Sequence, residues 1–234
     1  MKDIERTEEL NRLLKARLEE WRLQNNDPGY KRTPVITVTR EPGCGAEAIA
    51  QKLCAELGMH LYDWELVEKV AKDEKVSAQL VSSLEANPPT GFADFLAQCT
   101  PGYGLTSQAY VASVKRVLLA ILVPGNAIIV GRGSNFLLPA DEKIGLCLVA
   151  PLAVRIKNLM KERGLTEKEA RKHISKVEVE HRKLVKKYCQ ADVREPDHYH
   201  LVINTALVKP DTVVQLVKTM IQTEKESSHD PSGH

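Results

Sequence analysis

A chain of 234 residues with a formal net charge of +2 is long enough for one large α/β domain, or a domain with a small appendage. The near balance of charge gives no electrostatic basis for general nucleic-acid binding. The longest apolar run, 117–123, falls far short of the ~20 residues of a membrane span. Residues 1–30 are too charged for a signal peptide. Cys44, Cys54, Cys99, Cys147 and Cys189 are scattered without CxxC spacing, so neither a zinc site nor a redox pair is indicated. Their odd number fits a reducing, cytoplasmic location.

Residues 4–24 carry Leu10, Leu14, Leu18 and Trp21 at helical spacing. Asn25, Asn26, Asp27, Pro28 and Gly29 stop that helix. It precedes the first core strand and reads as an extension over 1–30. Its apolar stripe either packs on the chain's own domain or offers a homodimer surface. Residues 33–39 are almost all β-branched, as a central parallel strand requires. A Pro/Gly cluster follows, and then a helix over 46–57 that Gly58 caps. Such a loop leaves backbone N–H groups free at a helix N-terminus, where a phosphate can sit.

A short strand at 59–62 ends at Asp63 and leads into a helix over 64–73. Ser77 caps a helix over 78–85. Residues 87–104, bracketed by Pro/Gly clusters, have the composition of a flap. A long helix over 106–122 precedes a core strand at 126–130, which runs into Gly131, Arg132 and Gly133. Residues 144–150 form another strand, and Pro151 starts a helix to 163. A very basic helix over 166–188 opens with a capping box, Thr166 with Glu169. The last strand is 199–204, with His198 and His200 on one face, and the last helix is 211–223. The tail 224–234 lacks apolar residues and reads as disordered. Zinc at the histidines is not expected.

Alternation of strands and helices predicts an α/β fold: a parallel sheet of about five strands with helices on both faces. Ligands of such sheets bind beyond the carboxyl ends of the strands. Arg40, Asp63, Arg132 and Asn204 stand at or just past strand ends and are candidates to share one cleft.

Five motifs occur in order: Thr39-Arg40-Glu41 before a Gly-rich loop, Leu61-Tyr62-Asp63, Ile129-Val130-Gly131-Arg132-Gly133, Ala150-Pro151 with Arg155-Ile156, and Tyr199-His200-Leu201-Val202-Ile203-Asn204-Thr205. Over residues 33–222 the chain resembles the cytidylate kinase-like family of P-loop nucleoside monophosphate kinases. The resemblance implies the three-layer P-loop kinase fold over 31–223. It further implies an acceptor-binding flap region at 74–105, a lid region at 152–195, and transfer of the ATP γ-phosphoryl group to CMP or dCMP with Mg²⁺. Nucleotides are then the expected ligands. Such enzymes work by aligning donor and acceptor and neutralising charge.

On this resemblance, Gly43, Cys44, Gly45, Ala46, Glu47 and Ala48 form the phosphate loop. Arg132 holds the acceptor phosphate and Asp63 helps place the acceptor; an N-cap for the following helix is an equal reading of Asp63. Arg155 and Arg182 close over the reaction as lid cations. The sequence departs from the family at Glu47, where a Walker loop has Lys and relatives often carry Arg. A carboxylate ~4 Å from a phosphate is repelled by ~1 kcal/mol in water and ~4 kcal/mol at an effective dielectric of 20. Ala48 and Ile49 offer no hydroxyl to a metal. Arg40, at the strand exit, is a partial substitute for the missing cation. A second departure is in the lid, where Glu178 is followed three residues later by His181, with Arg182 one position further. The alternative function is therefore a catalytically impaired nucleotide-binding relative acting as sensor or scaffold.

Overall fold

The computed structural model describes residues 2–24, 33–72, 107–131 and 133–227. Helix α1 (Lys2–Gln24) leads to β1 (Val35–Arg40), α2 (Ala46–Leu57), β2 (His60–Asp63) and α3 (Trp64–Lys72). Then come α4 (Ser107–Leu122), β3 (Ala127–Val130), the single turn α5 (Ser134–Leu137) and β4 (Lys143–Val149). The hairpin α6 (Leu152–Arg163) and α7 (Glu167–Cys189), β5 (Leu201–Asn204) and α8 (Pro210–Ser227) complete the chain.

The five strands form one sheet in the order β2-β3-β1-β4-β5, and every pairing is parallel. Strand β1 is central and buried on both faces, which explains its unbroken β-branched run. Because side chains alternate, Ile36 and Val38 face a core closed by α2 and α8. Val35 faces the opposite core, closed by α1, α3 and α4. A third, small cluster of Ile156, Leu159, Ala170 and Ile174 holds α6 against α7.

The expected helices and strands recur within a few residues of their predicted ends, including the Gly58 cap at φ 63° and the Thr166–Glu169 capping box. Leu10, Leu14, Leu18 and Trp21 are all buried against α3 and α4. The stripe that suggested a dimer surface is thus covered by the chain's own core, not offered to a second copy. Arg17 fastens α1 further, donating from Nη2 to Gly125 O at 2.6 Å beyond the end of α4.

Two expectations need correction. The last strand begins at Leu201, not Tyr199, because Pro196–His198 is a 3-10 turn and the Tyr199 hydroxyl donates back to Val193 O at 2.8 Å. The two histidines therefore do not share a strand face. His198 meets Glu195, while His200 Nδ1 accepts the Gly145 N–H at 3.0 Å. Helix α8 continues through Ser227, past the predicted end at 223, since Glu and Lys there are good helix formers. The helix expected at 78–85, the flap at 87–104, Arg132 and residues 228–234 lie outside the described residues.

Candidate active site at the carboxyl edge of the sheet

The loop between β1 and α2 has the form of a phosphate cradle. Gly43 and Gly45 both have left-handed backbones, φ 78° and 79°. A Cβ on Gly43 would stand 2.5 Å from the Arg155 carbonyl oxygen, so only glycine fits there. Beside Gly45 there is open space. Helix α2 starts at Ala46 with no side-chain cap on its first turn. Its N-terminal N–H groups and dipole are therefore suited to an anion.

Two side chains hold this loop from outside. Asn158 of α6 donates to Gly43 O at 2.8 Å, and Thr205, just past β5, donates to Cys44 O at 2.7 Å. Both bonds occupy loop carbonyls. Asn158 carries no local signal in the sequence; Thr205 ends the fifth motif, but its partner Cys44 is not legible there. Cys44 is buried, which pushes its thiol up to about 11, against the lowering effect of the Ala46 N–H.

Glu47 is not turned away from the loop. Its carboxylate pairs with Arg40 Nη1 at 3.2 Å, the carboxylate side chain being 55% exposed. The first turn of a helix favours a negative charge. Glu47 thus uses the same field, and the same guanidinium, that an incoming phosphate would use. As for magnesium, Ala48 supplies no hydroxyl, and no cluster of three metal-ligating side chains occurs among the described residues. The loop has the form of a phosphate cradle, while the described residues offer no grouped side-chain ligands for Mg²⁺.

Arg155 is buried at 7% exposure, which excludes an exposed helical arginine. Its Nε donates to Ala150 O at 2.9 Å and lies 3.3 Å from Glu41 Oε2. Its Nη1 donates to Glu178 Oε1 on α7 at 2.6 Å. Glu41 in turn accepts the Ala150 N–H at 3.0 Å. Arg155 is therefore a strut between the start of the β1–α2 loop and helix α7. Sequence reasoning cast it as a lid cation and had no means of finding its two carboxylate partners.

Asp63 is the cap that the sequence suggested, and it also faces a pocket. It accepts the Glu65 N–H at 2.8 Å as the cap of α3, and it lines a small pocket with Arg40, Trp64, Gly131 and His181. Gly131, at φ 128°, lets β3 pass Trp64, whose Cβ would stand 2.6 Å from an added Cβ. Asn204 is not in this cleft: its side chain accepts the Ala206 N–H in a local turn. Arg182, half-buried, and His181, buried, line a larger cavity of about 460 Å³ beneath α7, together with Arg40, Arg155 and Glu178. The structure thus gathers Arg40, Arg155 and Arg182 around one space.

A model of the cytidylate kinase-like family matches residues 35–207. The chain belongs to this family. The cytidylate kinase of Ignicoccus hospitalis is 28% identical over 189 residues, covering 80% of this chain and 98% of that protein. The cytidylate kinase of Pyrococcus horikoshii is 26% identical over 189 residues, covering 88% of its own length. A crystal structure of an uncharacterized protein from Eubacterium ventriosum shares the fold, with a TM-score of 0.62 at 20% identity over 82% of this chain and 99% of that one. In this cytidylate kinase-like chain, the N-terminal helix α1 stands outside the matched segment.

Proposed function

We propose that this protein is a nucleoside monophosphate kinase of the cytidylate type, moving the γ-phosphoryl group of ATP to CMP or dCMP. The observation that carries this reading is the phosphate cradle: two left-handed glycines, an α2 N-terminus without a side-chain cap, and loop carbonyls bonded by Asn158 and Thr205. In this reading residues 43–48 hold the donor phosphates, Asp63 and Arg132 place the acceptor, and Arg40 and Arg182 neutralise charge. Mg²⁺, where ATP carries it, would supply neutralisation of phosphate charge, and no described side chain is assigned to hold it. The hairpin within 152–195 serves as the lid, 74–105 as the acceptor flap and 1–30 as an extension on the 31–223 domain.

A second reading, a nucleotide-binding relative without transfer, draws on the Arg40–Glu47 and Arg155–Glu178 pairs, which satisfy two of the site's cations internally. Magnitudes favour the first. The Arg40–Glu47 pair, the more exposed of the two and the one at the loop, contributes at most ~1 kcal/mol, about a fivefold effect on affinity, which a polyphosphate overcomes. The test is ADP release from ATP and Mg²⁺ with each nucleoside monophosphate. Turnover with CMP or dCMP that disappears in Arg132→Ala supports the first reading. ATP binding by calorimetry with no turnover on any acceptor supports the second.

A further inference from the structure

Two hollows open at the carboxyl edge of the sheet, and helix α7 borders both. The larger, about 460 Å³, reaches toward β4 and β5 and is lined from α7 by Glu178, His181 and Arg182. The smaller, about 60 Å³, lies beside Asp63 and Gly131 and is lined from α7 by Val177 and His181. The two hollows share Arg40, Pro42 and His181. Arg40 and Pro42 stand where β1 enters the phosphate loop. His181 is thus the α7 side chain placed where the loop entrance meets the Asp63 pocket.

Helix geometry accounts for this placement. Val177 and His181 are four residues apart and share a face, while Glu178 and Arg182 share the next, ~100° round the axis. His181 belongs to the buried side of α7 with Ala170, Ile174 and Val185. One turn further on, Leu184 Cδ2 is 3.5 Å from where a Cβ on Gly133 would stand, so α7 also covers the turn that follows β3. Most of the positive charge around His181 is already engaged. Arg40 pairs with Glu47, Arg155 with Glu41 and Glu178, and Arg194 with Asp192, while Arg182 is half-buried beside them. Asp63 and Glu65 face the smaller hollow from the α3 side. Cys147 and Tyr199 face the larger one and stay neutral near pH 7, because burial raises both. Histidine is the side chain whose ordinary titration falls in the neutral range.

Resting on the reading of the protein as a nucleoside monophosphate kinase, we propose that His181, as the imidazolium, is a catalytic residue that donates a hydrogen bond to the phosphoryl group in transit from ATP to the acceptor. An oxygen of the acceptor phosphate, on the Asp63 side, bonds to the γ-phosphorus as the bond from that phosphorus to the bridging oxygen of the β-phosphate breaks. ADP and the nucleoside diphosphate leave, and His181 keeps its proton throughout. The imidazolium neutralises negative charge on the equatorial oxygens of the moving group. Transfer by this chain is therefore acid-assisted, since the neutral imidazole that forms as pH rises supplies no such charge.

The test compares kcat of the wild type and His181→Gln from pH 6 to 9, with ATP, Mg²⁺ and CMP saturating. Titration of the substrates is common to both proteins and cancels in the ratio. The ratio of wild type to His181→Gln is expected to be about tenfold or more at pH 6 and to fall below about twofold at pH 9. The ratio of His181→Arg to His181→Gln, with a cation at every pH, is expected to show no such fall. A second measurement uses the wild type alone and decides the matter if His181→Gln does not fold. In ¹⁵N NMR, adding Mg²⁺, ADP, CMP and aluminium fluoride, a stand-in for the moving phosphoryl group, is expected to make the His181 imidazole bind its proton about tenfold more tightly. Turnover with a wild-type to His181→Gln ratio that is flat across pH overturns the proposal and leaves the kinase reading standing. So does an imidazole whose titration the mimic leaves unchanged. Absence of turnover on every monophosphate overturns the kinase reading, and this proposal falls with it.

Discussion

Glu47 shows how one residue can alter a site without altering its shape. The loop keeps the glycine conformations and the free helix N-terminus of a phosphate cradle, yet its cation is held by a carboxylate 3.2 Å away. Glu47→Arg removes the competitor and supplies a charge to the β/γ-phosphates. ATP affinity is expected to rise about tenfold, roughly 1.4 kcal/mol, with Glu47→Gln giving a smaller rise. Calorimetry with ATP and Mg²⁺ reads both, and an unchanged dissociation constant in Glu47→Arg would mean that Glu47 does not face the ligand. The departure itself was legible in the sequence by comparison with the Walker loop and the family pattern, which have Lys or Arg at this position. Its partner was not, because Arg40 and Glu47 meet only when strand, loop and helix are folded.

At the scale of elements, two contacts join helices to the core by different physics. Helix α1 is held mainly by apolar burial: Leu14 is fully buried between α3 and α4. Leu14→Ala should destabilise the protein by about 2–4 kcal/mol, since it removes buried methyl groups and leaves a cavity. Urea denaturation measures this, and a loss under ~1 kcal/mol would show that α1 detaches without cost to the rest. Helix α7 is held to the loop by charge, through Glu178, Arg155 and Glu41. Glu178→Gln keeps the shape of that contact but removes the charge that anchors α7. Amide exchange in the first half of α7 should quicken several-fold, with α2 unchanged. Equal protection in mutant and wild type would show that the Ile156, Leu159, Ala170 and Ile174 cluster alone fixes α7. The helices themselves were readable from their periodicity and caps. Their partners were not, since a strut 23 residues long in sequence, from Arg155 to Glu178, leaves no local pattern.

For the whole molecule, burial of acidic groups sets a limit at high pH. Cys44 and Cys189 are pushed up to about 11 and Cys147 to about 12 by desolvation, and Tyr199 is raised for the same reason. Between pH 9 and 11–12 the folded state keeps protons that the unfolded state releases. Stability is therefore fully present below pH 9 and declines as pH rises through that window. Lys143 opposes this trend. Burial lowers its ammonium to about 8, although Leu138 O accepts from it at 2.7 Å. From pH 8 to 10.5 the unfolded state binds more protons at this site, so its contribution rises with pH. Urea midpoints from pH 7 to 11 should fall above pH 9, and more steeply in Lys143→Met, in which the opposing contribution is gone. Parallel curves for wild type and mutant would contradict the Lys143 assignment. Family membership and the order of strands and helices were carried by local signals: β-branched runs, glycine turns, capping residues and motifs in sequence order. These arise between neighbours along the chain, so the amino acids alone display them. The tertiary structure decided which charges meet, that the α1 stripe is covered from within, and that Arg40, Arg155 and Arg182 line one cavity. Those outcomes depend on strand register and helix packing between residues tens of positions apart, and no short stretch of sequence encodes them.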